Sequence, residues 1–537
     1  MNTLRDTGRV RCHLYWAAAV GPAVLLAAAA TLPAVWWEPL HIDEAITLEF
    51  APESVPAIIR DIFVERGGAP VFFLVEHVSL EWPGGLAGLR LPPVLFFVVA
   101  VGLSAPVGKE LCGRDAGLLL PPLLALAPLA VRLSTFARMY TLFLAGVLLA
   151  VWLLLRATAR GERNAWIAAG AVAGGLVYVH PTAPLYVGVA LVTAYLYSHA
   201  PLRPFLQSAR PGLVTLGLVA SPYVYALAVL SRRYDVGSPE SSIFESGSGR
   251  PVPAESLLAL ASGEWLGTAL LTALSLAGLI TILRREHRIG VALGLWVAVP
   301  VAFFSLVPSE TVFFPRYLLP SLPFFLLLVA VGCLTAGRMA RRPLLGAATL
   351  VAAILVWEAV ETASRLERLR DLRLPQAVDV VAGAGDAVLF SSIGAPLGGR
   401  PGELLDSYAA LELPDIGRVE ELPGVDPRYT PDVQARGVAV VRDFLEDQGS
   451  ERQGIWLFSG SPRRLDLALR RLEAEPGIEV RRISPSILLV HSSEPLDPRS
   501  LVEQAVVVRT AWLGPSGRDR WSRALIDIDR EALGGTR

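Results

Sequence analysis

The chain has 537 residues, 53% of them hydrophobic and only 18% charged, with a formal net charge of −1 and a mean hydropathy of +0.49. Soluble domains carry about 25% charged residues, so this composition excludes a purely water-soluble enzyme of this size. The near-neutral balance argues against a basic nucleic-acid reader and against an acidic tail.

The apolar residues gather into runs. The first covers 14–36, and others lie near 89–107, 116–133, 141–155, 165–179, 182–197, 211–230, 265–283, 289–307, 317–336 and 343–357. A helix needs about 17–25 mostly apolar residues to cross a bilayer, so these eleven runs predict about eleven transmembrane helices, with 165–179 and 343–357 short. The first run is too long for a signal-peptide core and leads into Trp36 and Trp37, a pair suited to the membrane interface. It reads as an uncleaved anchor.

Arginine sets the orientation. Lys109 is the sole lysine and asparagine is nearly absent, the mark of a GC-rich, bacterial coding bias, so Arg in place of Lys carries little information. Arg5, Arg9 and Arg11 precede the first run, and every second connection is basic: Lys109 and Arg114; Arg156, Arg160 and Arg163; Arg203 and Arg210; Arg284, Arg285 and Arg288; Arg338, Arg341 and Arg342. These connections are expected on the cytoplasmic side. Cys12, Cys112 and Cys333 all fall on that reducing side and show no metal spacing. An odd number of spans then puts the C-terminal part outside the plasma membrane.

Past residue 358 the character changes. A charged helix is expected over 358–373, then strands at Ala387–Ser391, Ile455–Ser459 and Ile487–His491, with helical patterns near 432–448 and 462–475. Strands alternating with helices predict a soluble α/β domain. The expected organisation is a membrane domain over 1–357, with an external loop at 37–88, and an external α/β domain over 358–537. The latter shows no phosphate-binding glycine loop and no metal-ligand cluster.

Chemistry-bearing residues stand at the external ends of the spans. His41-Ile42-Asp43-Glu44 follows the first run, and adjacent carboxylates close to a bilayer are costly unless used or paired; capping the next helix is the structural alternative. Val55, Ile58, Ile59, Ile62 and Phe63 share one helical face opposite Arg60, Asp61 and Glu65, which predicts an amphipathic helix lying on the membrane. Arg90 begins the second span. Ser134-Thr135-Phe136-Ala137-Arg138-Met139-Tyr140 opens the fourth, His180 sits in a tight turn, and Arg316-Tyr317 opens the tenth. Singly, each is an ordinary snorkelling Arg or interfacial Tyr. Together, on the side where positive charge is disfavoured, the guanidiniums form an anion site, because they bind phosphate with a bidentate fork.

In sequence order, HIDEA, AGLRLPP, GKELCGRDAG, STFARMYTL, YVHPT and FFPRYLLPSLP resemble the GT-C glycosyltransferases, closest to the dolichyl-phosphate-mannose–protein mannosyltransferase-like branch that includes bacterial aminoarabinose transferases. The resemblance covers roughly residues 14–335. It implies a GT-C-like polytopic helical fold that transfers a hexose or pentose from a polyprenyl-phosphate donor to an acceptor hydroxyl on a protein, lipid or envelope glycan. In such a reaction Asp43 is the general base, Glu44 its neighbour, and Arg138, Tyr140, Arg316 and Tyr317 hold the donor phosphate; His41, Arg90 and His180 are further substrate-site candidates. Where relatives carry His-Pro-Pro-Leu-Tyr, this chain has Gly67-Gly68-Ala69-Pro70-Val71-Phe72-Phe73. The external placement points the same way, since nucleotide sugars are not available there and a membrane-bound donor is. One base and direct displacement imply inversion. No cofactor is certain from the sequence: Asp43 and Glu44 could hold a divalent cation, although two carboxylates without further ligands are a poor argument for one. A transporter or flippase, and an inactive family member, are the competing readings. A transporter tends to show inverted repeats and midplane breaks, and neither is seen in the sequence.

Overall fold

In a computed structural model, the chain divides into two compact units: Met1–Trp36 with Ile46–Glu367, and Trp37–Ala45 with Arg368–Arg537. The structure describes residues 20–36, 44, 47, 50–65, 68–82, 86–233, 252–261, 265–306, 315–338 and 343–371, and the strands 387–393, 418–421, 453–459, 478–484 and 487–492.

The first unit is helical. It contains α1 (Val20–Trp36), α2 (Val71–Ser79), α3 (Leu86–Cys112), α4 (Arg114–Leu126), α5 (Pro128–Ser134), α6 (Tyr140–Arg160) and α7 (Arg163–Gly175). There follow α8 (Ala183–Ser198), α9 (Leu202–Arg233), α10 (Val252–Leu260), α11 (Trp265–Arg285), α12 (His287–Leu306), α13 (Leu322–Arg338) and α14 (Pro343–Asp371). The eleven apolar runs are mainly helical where described, with Ala127, Val179 and Thr182 as breaks or ends. Among the described residues, seven helices are long and apolar enough to cross a membrane, and an eighth if α4 and α5 form one bent span. This is a multi-pass membrane protein. The 58° bend between α4 and α5 has a local cause. Ala127 takes ψ 121° because the ring of Pro128 disfavours helical backbone at the preceding residue. The short run at 343–357 becomes a 29-residue helix, since the charged stretch after it continues α14.

Close backbone approach organises the bundle. A Cβ on Gly278 of α11 would lie 2.0 Å from the Leu328 carbonyl oxygen of α13, and one on Gly332 would lie 2.0 Å from that of Leu274. Gly170 of α7 meets Gly212 of α9 equally closely. Small residues at such crossings let helices pack where lipid supplies no hydrophobic drive. The span Pro315–Arg338 is consequently enclosed, 89% of its apolar window being buried, whereas that of α9 is 17% buried.

The amphipathic segment differs from the simple helix expected. One α-turn, Val55–Ile58, passes into a π-helical stretch, Ile59–Glu65. The wider turn shifts the phase of the apolar side chains. Ile58 and Ile62 are buried with Phe50 and Phe73, while Val55 and Ile59 are exposed. Phe63 packs on Tyr223 (ring centroids 5.6 Å apart) and Tyr178 (5.8 Å), so this segment is docked on the bundle.

The second unit carries a five-stranded mixed sheet of order β2-β1-β3-β5-β4, with β1 (Ala387–Ile393), β2 (Arg418–Glu421), β3 (Gln453–Ser459), β4 (Ile478–Ser484) and β5 (Ile487–Ser492). β1 is parallel to β2 and β3, and β5 is antiparallel to β3 and β4. The three expected strands are β1, β3 and β5. The helical patterns near 432–448 and 462–475 lie outside the described residues.

Candidate active site

Residues separated by nearly 180 positions converge in the first unit. α6 starts at Tyr140, directly after the turn that holds Arg138. The 3₁₀ turn Pro315–Ser321 carries Arg316 and Tyr317, and the connection between α7 and α8 carries His180. The Arg316 guanidinium lies over the Tyr140 ring at 5.5 Å and over its neighbour Tyr317 at 5.9 Å. The His180 ring is 5.8 Å from Tyr140 and 5.7 Å from Tyr317, and stacks on Phe143 at 4.9 Å. Arg138 sits 5.8 Å above Phe73. Cation–aromatic contacts of this kind hold a guanidinium in place while leaving its N–H fork in-plane for an anion.

His180 is the electrostatic hinge of the cluster. Its ring is buried, and the Thr182 backbone N–H donates to Nδ1 at 3.2 Å, with the Thr182 hydroxyl 2.8 Å from the same nitrogen. A backbone N–H can only donate, so Nδ1 accepts and the neutral ring keeps its proton on Nε2. Burial, then the charges of Arg138 and Arg316, push the imidazole pKa down from 6.5 to about 3. The cluster thus has two fixed cations and one neutral hydrogen-bonding ring.

Several supports were not visible in the sequence. The Tyr186 hydroxyl donates to the Tyr317 carbonyl at 2.6 Å and anchors the 3₁₀ turn from α8. Thr141 donates to the Pro93 carbonyl at 2.8 Å and fixes the start of α6 against α3. Thr47 donates to the Ala137 carbonyl at 3.0 Å, tying the segment after the Asp-Glu pair to the turn that bears Arg138. Polar residues flanked by apolar runs give no signal of this before the helices are assembled. The segment Gly68–Phe73, which departs from the relatives' motif, supplies the Phe73 ring under Arg138.

The remaining candidates are placed as follows. Glu44 is helical and fully buried, as is Thr47 three residues later. His41 and Asp43 lie outside the described residues. Arg90 is buried and donates from Nη1 to the Val35 carbonyl at 3.3 Å, where it satisfies the C-terminal end of α1, a position that favours cations. No group of three or more His, Cys, Asp or Glu able to hold a metal occurs among the described residues.

The helical bundle is GT-C-like in fold, as comparison with known proteins supports. Residues 73–225 match the family described as dolichyl-phosphate-mannose-protein mannosyltransferase, a stretch that includes Arg90, Arg138, Tyr140 and His180. The fold is similar to that of ArnT from Cupriavidus metallidurans in the apo state, with TM-score 0.52, 16% identity, and coverage of 88% of this chain and 98% of that one. Against ArnT bound to undecaprenyl phosphate the figures are 0.53, 15%, 89% and 97%. The oligosaccharyltransferase of Archaeoglobus fulgidus, in complex with zinc and sulfate, matches with TM-score 0.50 and 12% identity over 82% of this chain and 68% of that one. At these identities the structural likeness is one of fold. No curated protein matches the chain significantly in sequence. The resemblance to the GT-C glycosyltransferases read from the motifs holds.

Proposed function

We propose that the chain is an integral-membrane glycosyltransferase that moves a sugar from a polyprenyl-phosphate donor to an acceptor hydroxyl on the external face of the plasma membrane. The observation that carries this reading is the convergence of Arg138, Arg316, Tyr140, Tyr317 and neutral His180 in a fold whose ArnT representative was crystallised with undecaprenyl phosphate. In the proposed reaction the acceptor oxygen attacks the anomeric carbon and gives its proton to the Asp43 carboxylate. The bond from the anomeric carbon to the phosphate oxygen breaks on the opposite side, so the configuration inverts. Arg138 and Arg316 stabilise the charge that grows on the departing lipid phosphate, helped by Tyr140 and Tyr317. Glu44 tunes the base, and Arg90 holds the end of α1 from which the Asp-Glu segment leaves. The topology proposed with it has eleven spans, a cytoplasmic N-terminus, a membrane domain over 1–357 and an external α/β domain over 358–537 that recognises or scaffolds the acceptor.

The test is turnover of radiolabelled polyprenyl-phosphate sugar by purified full-length protein. A general base typically contributes about 10²–10⁴-fold, so Asp43→Asn is expected to lose that much transfer while keeping donor affinity and thermal stability. Glu44→Gln is expected to lose less. Wild-type transfer by Asp43→Asn rules the mechanism out, and unfolding of that variant assigns Asp43 to helix capping instead.

A further inference from the structure

The least enclosed candidate span, α9, carries a shallow, open groove along its first turns, lined by Leu202, Arg203, Leu206, Gln207, Arg210, Leu213 and Val214. Phe205, Ala209 and Gly212 turn the other way and are buried. Arg203, Leu206, Gln207 and Arg210 are all exposed, and neither arginine has an ion-pair partner among the described residues. Residues 202–233 contain no Asp or Glu at all. The start of a helix already carries partial positive charge and favours an acidic residue there. Here the sequence adds two guanidiniums instead, and no acidic side chain among the described residues pairs with them.

The order of side chains along α9 identifies the ligand class. At 1.5 Å per residue, Arg203 and Arg210 stand about 10 Å apart along the axis, with Gln207 between them and Leu213, Val214 and the exposed Leu218 beyond. Leu202 and Leu206 alternate with two cations and an amide, and unbroken aliphatic surface follows, a pattern that suits a glycerophospholipid, whose charged headgroup leads into its acyl chains. A free anion has no use for the apolar floor, and a neutral lipid leaves the arginines unmatched. We propose that this groove is a binding site for an acidic glycerophospholipid, its phosphate held by Arg210 and Gln207, its headgroup facing Arg203, and an acyl chain along Leu213, Val214 and Leu218. Under the topology proposed above the site lies in the cytoplasmic leaflet, away from the transfer chemistry. It rests on the multi-pass membrane architecture and not on the transferase reading.

Native mass spectrometry of the full-length protein with phosphatidylglycerol and phosphatidylcholine of identical acyl chains tests it. An arginine near an acidic lipid surface contributes roughly fivefold, so two give an expected preference of about thirtyfold for phosphatidylglycerol. Arg203→Gln/Arg210→Gln is expected to bring the two lipids to near parity with sugar transfer unchanged, and phosphatidylglycerol is expected to raise the melting temperature of the wild type only. Equal retention of both lipids by the wild type overturns the proposal, as does an undiminished preference in the double variant. If the double variant does not fold, the single variants decide: each must lose part of the preference. Displacement of the lipid by inorganic phosphate alone also overturns it, because that identifies a simple anion site. Since the readout is lipid retention, an inactive transferase leaves the result intact.

Discussion

Tyr186→Phe removes a single oxygen from α8 and leaves the ring in place. In the native bundle that oxygen donates at 2.6 Å to the carbonyl of Tyr317, across 131 residues of sequence, and the Tyr186 side chain is fully buried. Without it the carbonyl has lost its anchor in a protein-enclosed turn. Orphaning a buried acceptor costs about 1–3 kcal/mol, while hydrogen bonds in membrane bundles average about 0.6 and reach about 1.7 kcal/mol. A short bond to a turn belongs near the top of the second range, so the expected loss is about 1–2 kcal/mol, or roughly 2–8 °C in melting temperature at about 2–4 °C per kcal/mol. The functional effect is expected to exceed the thermal one. The anchored residue follows Arg316, and a displacement of about 1 Å in a positioning group can cost about 10²-fold in rate. Differential scanning fluorimetry beside single-turnover transfer measures both, with a ten- to hundredfold fall in rate expected on those grounds. A Tyr186→Phe protein with wild-type transfer and wild-type stability refutes the reasoning, and shows that packing of Leu318, Leu319 and Pro320 alone sets the turn.

Arg138→Ala and Arg316→Ala are each expected to lower transfer by about 10²–10³-fold, the usual effect of deleting one positioned charge-stabilising donor; wild-type turnover in both makes them interfacial side chains only. His180 links stability to pH. Its folded pKa of about 3 lies below the ordinary 6.5, so the unfolded chain takes a proton that the fold refuses, and stability falls as pH drops from about 6.5 toward 3, with a slope of up to about 1.4 kcal/mol per pH unit and none above 6.5. Melting curves of the wild type and His180→Gln measure that slope, which the variant is expected to lose. Arg400→Cys is expected to react with an impermeant thiol reagent in intact cells, whereas protection would place the second unit inside and remove the case for a lipid-linked donor.

The legible part of the site was the part written in unusual residues. Arg138, Tyr140, His180, Arg316 and Tyr317 interrupt apolar runs at helix ends, and all five meet in one cluster. Phe73, Phe143 and Tyr186 shape that cluster equally, but an aromatic residue inside an apolar stretch looks the same whether it faces lipid or the His180 ring. Arg90 was visible only as a cation at the start of the second span, and its burial and its bond to the Val35 carbonyl needed the crossing of α1 and α3. In the second unit the expected strands are β1, β3 and β5, the three inner strands with continuous apolar runs. The missed ones, β2 (RVEE) and β4 (IEVRRIS), are the two edges, where charges guard against pairing with another chain and hide the strand pattern. The π-helical stretch at Ile59–Glu65 escaped for a different reason: a helical period predicts which residues share a face, and a wider turn leaves Ile59 exposed while Ile58 and Ile62 are buried.

The enclosure of the span Pro315–Arg338 separates what this protein requires during its synthesis from what it requires afterwards. With this span almost wholly buried, α13 scarcely meets lipid in the finished bundle, so its strong hydrophobicity does little to match it to the bilayer. That hydrophobicity serves an earlier moment. The segment must leave the insertion machinery as a lone helix, where one charged residue near its centre costs about 2.5–3.5 kcal/mol, before α11 closes onto it through the glycine crossings. A polar residue that the assembled core could satisfy would still be rejected at that threshold. Biogenesis, rather than the mature environment, is what keeps the innermost helix greasy.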